Sequence, residues 1–146
     1  MQLTSPAFTD NGLIPSIHTC DGDNISPPLS ISQVPKDAVS LALIVDDPDA
    51  PGGDWVHWLV WNLDPQTETI EANDLPLHAI AGLNDFGQEK YGGPCPPSGM
   101  HRYQFKLFAL DINLDLAPTA DKPTLLKAIS NHIIADTVLT AFYQRQ

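Results

Sequence analysis

Apolar residues occur along this chain in short runs that proline, glycine and acidic residues keep interrupting. Ser40 to Val45 (Ser-Leu-Ala-Leu-Ile-Val) is nearly continuous and stops at Asp46-Asp47-Pro48, which is the length and terminator of a strand buried on both faces. Val56 to Leu63 is aromatic and β-branched throughout and forms the second strong strand. Strict alternation there puts His57, Leu59 and Trp61 on one face, with Val56, Trp58, Val60 and Asn62 on the other. Arg102 to Leu110 is the third, with Tyr103, Phe105, Leu107 and Ala109 sharing a face. Leu3 to Phe8 alternates weakly, as an edge strand does, and Pro28 to Ile31 is a short extended piece before the turn at Pro35-Lys36-Asp37. Helices are predicted only late in the chain. Pro123 to Ser130 has Asp121 near its cap and proline in its first turn. Asn131 to Gln144 carries Ile134, Val138 and Phe142 four residues apart, one apolar side to pack on a sheet. The pattern is mainly β: a sheet core with peripheral C-terminal helices.

With 146 residues, 42% of them hydrophobic, the chain suits a single domain spanning 1–146. The 14 prolines are scattered between the apolar runs, which reads as rigid ordered loops rather than a disordered tail. The long stretch from Asp64 to His101 has little helical character, and a loop of that size inside a compact domain is usually functional. A net charge of −11 disfavours nucleic acid and anionic membranes as partners, because both are repelled from most directions. No apolar run approaches the roughly 18 to 20 residues that span a bilayer, and the start Met1-Gln2-Leu3-Thr4-Ser5-Pro6 has no basic or apolar leader pattern. The cytoplasm is the expected compartment. Cys20 and Cys95 make neither a disulfide framework nor a C-x-x-C motif, so free thiols are expected; a bridge is the alternative, since both lie in Gly/Pro-rich segments that could converge.

The candidate chemistry sits in two segments. Asp46-Asp47-Pro48-Asp49-Ala50-Pro51-Gly52-Gly53-Asp54-Trp55-Val56-His57 joins the first two strong strands, and its prolines stiffen the turn. Acidic residues in a turn are usually turn formers. Asp47 and His57 nevertheless flank one rigid turn at neighbouring strand ends, which commonly share a sheet edge. The second segment, Tyr91-Gly92-Gly93-Pro94-Cys95-Pro96-Pro97-Ser98-Gly99-Met100-His101-Arg102-Tyr103, combines glycines that expose backbone N–H groups with prolines that hold them still. His101 and Tyr103 have the same parity and project together, whereas Arg102 points away, toward a carboxylate partner. A single strand histidine is more often structural than functional; two of them beside a tyrosine and an aspartate are harder to assign to packing.

These segments resemble the phosphatidylethanolamine-binding protein family, also called Raf kinase inhibitor protein-like. The resemblance is carried by Asp47-Pro48-Asp49-Ala50-Pro51, Trp55-x-His57 and Gly99-x-His101-Arg102-Tyr103. Thr19-Cys20-Asp21-Gly22, Ser26-Pro27-Pro28-Leu29, Gly82-Leu83-Asn84-Asp85-Phe86-Gly87 and Tyr91 to Pro97 resemble its bacterial and archaeal branch. The likeness runs from about residue 3 to the C-terminal segment. It implies a β-sandwich-like domain of two antiparallel sheets with a small pocket for phosphate, phosphoryl head groups or other small anions. Carried over, the pocket comprises Asp47, Pro51, Trp55, His57, Gly93, Pro94, Cys95, His101 and Tyr103. Cys95 stands where many eukaryotic relatives have proline. The chain stops soon after Tyr143, so a C-terminal lid of the kind better-known members have is not expected.

Such a site would work through its imidazoles. Asp47 would accept a hydrogen bond from a histidine, His57 being the expected one, and favour its charged form. His101, the Tyr103 hydroxyl and N–H groups around Gly93 would complete an anion cradle walled by Trp55, with binding that weakens as pH rises through the histidine range. No metal or cofactor is called for. The expected function is a small-anion or phosphoryl-group binding module that regulates a partner such as a kinase or hydrolase. The alternatives are a weak ester or phosphoester hydrolase using the same Asp and His groups, and an assembly protein that forms a homodimer. Against the hydrolase, Pro97-Ser98-Gly99 is not a nucleophile elbow, and no other Ser or Cys has a His and acid beside it.

Overall fold

The computed structural model describes residues 1–146. Nine strands and one helix follow in chain order: β1 (Gln2–Thr4), β2 (Gly12–Leu13), β3 (Leu29–Ser32), β4 (Ser40–Asp47), β5 (Trp55–Leu63), β6 (Thr69–Ile70), β7 (Ile80–Ala81), β8 (His101–Leu110), α1 (Lys122–Ile129) and β9 (Ile133–Tyr143). They build two sheets, a small one ordered β1-β3-β6 and a large one ordered β2-β9-β8-β4-β5-β7. All pairings are antiparallel except β2 with β9. The architecture is mainly β, as the hydrophobic pattern implied, and sandwich-like, as the family resemblance implied. No helix is long and apolar enough to cross a membrane.

β4 is the spine. All eight of its residues are buried, because it has β5 on one side, β8 on the other and packed layers on both faces. Between the sheets, Leu41, Leu43, Val45, Phe105 and Leu107 meet Leu3, Leu29, Ile31 and Ile70 of the small sheet. On the outer face, Ala42, Ile44, Leu59 and Trp61 meet Leu125 and Ile129 of α1. Each large aliphatic or aromatic side chain sealed this way contributes about 1.5–3 kcal/mol relative to exposure. The helix starts where expected: the Asp121 carboxylate accepts from the Thr124 N–H at 3.1 Å, and Pro123 stands in the first turn.

The second expected helix is a strand. Residues 133–143 form β9 and pair with β8 along its whole length, from Leu110↔Ile133 to His101↔Tyr143. A spacing of four fits a helix, but four is also even, so the same repeat suits one face of a strand, as Val138 and Phe142 show. Val138 and Phe142 lie on the outer face, Val138 exposed, whereas Leu139, Ala141 and Tyr143 turn into the core; Ile134 is the extra residue of a bulge opposite Ala109 and Leu110 and packs against the inter-sheet core. Helices on the periphery therefore reduce to α1 alone.

β5 also departs from strict alternation. Against β4, Val45 pairs with Trp58 but Asp46 pairs with Val56, and Leu43 pairs with Val60 but Leu41 with Leu63. Each step inserts an extra residue on β5, a bulge. Asn62 takes φ 56° at the second one, where its side chain bonds both the N–H and the C=O of Leu114 at 2.8 Å. Bulging puts Val56, Leu59 and Trp61 on the helix side, and Trp58, Val60 and Leu63 on the inter-sheet side. His57 goes with the latter group, its ring against Tyr103, and does not share a face with Leu59 and Trp61.

Candidate functional site

The turn after β4 is held by short-range chemistry. Asp47 closes the strand, and its Oδ1 accepts from the Asp49 N–H at 2.8 Å, an aspartate turn. Gly52 and Gly53 follow at φ 85° and 115°, values that tolerate no side chain cheaply. Asp49 in turn grips the start of β8: its carboxylate accepts from the Arg102 backbone N–H, from Nε at 2.9 Å and from an Nη at 2.8 Å. This is the carboxylate partner expected for Arg102. The guanidinium holds the Asp49 carboxyl down to about 2.

That clamp brings Asp47 to His101, the first residue of β8. The buried Asp47 Oδ2 accepts from His101 Nδ1–H at 2.7 Å. Asp47 therefore orients His101 and not His57, which corrects the expected pairing. The bond fixes the tautomer and leaves Nε2 as the free nitrogen of His101.

His57 is held differently. Its Nδ1–H donates to the Gly92 carbonyl at 2.7 Å, and the Gly92 N–H returns a bond to the His57 carbonyl at 2.9 Å. A carbonyl can only accept, so Nδ1 carries the proton. Burial pushes the His57 pKa down, outweighing the Gly92 bond and the Asp47 charge, so the ring is kept neutral. This reverses the expectation of a charge-favoured His57. Its Nε2 is buried without a partner, and so is the Tyr103 hydroxyl on the ring packed edge-on against it, 5.2 Å between centroids. Burial, and secondarily the Asp47 charge, push the Tyr103 phenol up, so it keeps its proton.

These groups share one cavity of about 360 Å³, whose wall includes Asp47, Pro51, Trp55, His57, Cys95, His101 and Tyr103. Seven of the nine residues expected at the site are thus brought together. Gly93 and Pro94 are not in this wall. The Gly93 N–H is spent on Asn24 Oδ1 at 2.8 Å, and a side chain there would collide with His18 and Thr19. Pro94 uses its carbonyl on the Cys20 N–H. Both hold the loop and do not line the cavity. Cys95 reaches the wall while bonded to Cys20, so the cysteines are a disulfide and not free thiols. Sequence distance hid the pair, because the bridge needs the 16–24 and 91–95 segments to be stacked, as Gly93 against Asn24 shows.

Phe86 was missed as a wall residue. It stands edge-on to both Trp55 and His57, at 5.5 Å between centroids in each case. Asn84 aims it, accepting from the Phe86 and Gln88 N–H groups and donating to the Lys90 carbonyl. Gly92 makes room, since a Cβ there would strike the Phe86 ring. The Gly82–Gly87 motif marked this loop as distinctive without indicating which side chain mattered.

Known proteins with this sequence and shape agree with one another. The profile of the family described as phosphatidylethanolamine-binding protein matches residues 4–144. A protein described as UPF0098 protein, from Methanothermobacter thermautotrophicus, is 50% identical, with 99% of each chain covered. Among solved structures, a phosphatidylethanolamine-binding protein homolog of Chlamydia trachomatis superposes with a TM-score of 0.95 at 43% identity, covering 99% of this chain and 97% of that one. Escherichia coli YbcL, described as a new member of the mammalian family, gives 0.93 at 32% identity over 99% and 98% of the two chains. With the family profile spanning nearly the whole sequence and the same fold found in such relatives, this chain belongs to the phosphatidylethanolamine-binding protein family.

Proposed function

We propose that the chain is a small-oxyanion binding module whose ligand occupies the cavity between Asp47, His57, His101 and Tyr103, with phosphoryl groups as the favoured class. The observation that carries this is two buried polar atoms without partners, His57 Nε2 and the Tyr103 hydroxyl, on rings that pack together and line a cavity. A buried polar atom left unpaired costs about 1–3 kcal/mol, so such a pair is ordinarily met by a ligand or bound water. The Tyr103 hydroxyl donates to the oxyanion, and His101, oriented by Asp47, adds a charged N–H whenever it is protonated. Trp55, Phe86, Pro51 and Pro96 supply apolar walls that exclude water and strengthen those bonds.

Calorimetric titration with O-phosphorylethanolamine tests the reading. Saturable binding that is lost in His101→Ala is expected; no heat with either inorganic phosphate or the ester would sink it. A role as regulator of a protein partner, through a phosphoryl group that partner displays, belongs to the same proposal. So does the cytoplasm as compartment, although the disulfide would then have to persist in a reducing milieu. Alkylation of the chain in cells, read by mass spectrometry, would settle that point. For a homodimer the large sheet offers a stretch of open edge, because β2 pairs only with Ala141 and Phe142 of the eleven-residue β9.

A further inference from the structure

We infer that the cavity selects oxyanions that carry their own proton, so that its ligands are phosphomonoesters in the hydrogen form rather than phosphodiesters or sulfate; this rests on the oxyanion reading above. The argument starts at Gly92. Its carbonyl takes the Nδ1–H of His57 at 2.7 Å, and a neutral imidazole has only one N–H, so Nε2 presents a lone pair. That nitrogen is buried and unpartnered, and it needs a donor from whatever enters.

The groups around it do not change this. Tyr103 faces His57 edge-on from β8, Phe86 packs on it from the Asn84–Gly87 loop, and Asp47 and His101 line the same cavity while bonded to each other. Asp46, the next nearest charge, is bound to Lys106 and Lys122. The two carboxylates favour a proton on His57, but burial outweighs them. The cavity therefore offers one obligate acceptor beside one or more donors.

A hydrogen phosphomonoester meets both demands: its P–OH donates to Nε2 while its other oxygens accept from Tyr103 and His101. A phosphodiester has the same single charge but no P–OH, and sulfate has no proton at all. Each sets a lone pair against a lone pair, or forces a proton onto a ring whose surroundings disfavour it. An intact phospholipid head group is a diester, so it falls in the rejected class. A phosphoryl group at the end of a chain, as on a phosphoamino acid or a head group freed of its glycerol, falls in the accepted one.

The test is calorimetry on the full chain near pH 6.5, where a monoester with its second pKa at about 6 is still partly in the hydrogen form. O-phosphorylethanolamine is compared with its diester counterpart, glycerophosphorylethanolamine, and with sulfate. The monoester is expected to bind roughly tenfold or more tightly than either. Its advantage should shrink by about pH 8, as the ligand loses that proton. Equal affinities, or a tighter diester, would overturn proton selection while leaving an oxyanion site standing. No binding of any of the three would remove the oxyanion reading along with it. Nitrogen NMR of His57 in the complex gives a readout that needs no variant: a neutral ring with Nε2 accepting supports the inference, and an imidazolium overturns it. His57→Phe, if folded, should bring the three affinities together.

Discussion

Asp46 and Asp47 are adjacent on one strand, and alternation sends them to opposite faces of the large sheet, where they meet opposite kinds of partner. Asp46 is fully buried and accepts from two lysines on one oxygen, Lys122 at 2.7 Å and Lys106 at 3.0 Å, with Lys122 also 3.3 Å from Asp54. Lys122 is the first residue of α1, so this cluster ties the helix to the sheet. Burial works against the Lys122 charge, yet Asp46 and Asp54 hold its pKa above the ordinary lysine value. Among side chains Asp47 bonds only an imidazole, its other oxygen taking the Asp49 N–H. A carboxylate matched to permanent cations is a clamp, whereas one matched to a titratable ring at a cavity wall leaves charge available to a ligand. The difference separates structure from function more cleanly than burial does, since both aspartates are buried.

The largest effect should come from breaking the clamp. Asp46→Ala leaves two half-buried lysines facing each other without their shared carboxylate and should cost about 3–5 kcal/mol in urea unfolding, with phosphoryl binding by the folded fraction intact. A loss under about 1 kcal/mol would mean the cluster is not holding the helix. Next comes the bridge beside the cavity: reduction, or Cys20→Ser with Cys95→Ser, should lower stability by about 2–4 kcal/mol. Asp47→Asn should act the other way round from Asp46→Ala. It should cost no more than about 1–3 kcal/mol of stability but weaken O-phosphorylethanolamine binding roughly tenfold, because His101 loses the carboxylate that orients it. Unchanged binding would place His101 outside the ligand's reach.

Two smaller effects sharpen the contrast. His57 has its pKa depressed by burial, so the unfolded chain takes up its proton first. Its contribution to stability is present above the unfolded value of about 6.5 and is lost as pH falls below it. A denaturation series across that range should show the decline in the wild type and a flatter profile in His57→Phe. Arg102→Ala removes an exposed fork to Asp49 and should show only as a small downward shift in the urea midpoint. The Asp49 carboxyl, held at about 2, gives that pair its stabilising effect at neutral pH and loses it as pH falls from the ordinary carboxylate range toward that value.

Much of this was legible in the sequence where chemistry is local. β4, β5 and β8 announced themselves by apolar density, α1 by its cap and proline, and the parity of His101 and Tyr103 placed both in the cavity. What was not legible depends on register or on distant partners. The first bulge in β5 turns His57 toward Tyr103, and nothing in Trp-Val-His-Trp-Leu-Val-Trp shows where alternation slips. β9 was obscured by a period that helix and strand share, although Ile133, Ile134, Thr137, Val138 and Thr140 are the β-branched residues a strand prefers. The Asp47–His101 bond and the disulfide both join segments far apart in the chain, where residue types leave several pairings open.

The position of β9 has a consequence for how the protein is made. It is synthesised after β1 to β8, and it pairs with β8 along its whole length, setting Tyr143 opposite His101. A nascent chain still lacking it exposes one full edge of β8, and β2 waits for the same strand. Pairings this distant in sequence form late. On the ribosome, the cavity between Asp47, His57, His101 and Tyr103 should therefore mature only when residue 143 emerges, and a stalled chain would present an open sheet edge to chaperones instead of a finished cavity.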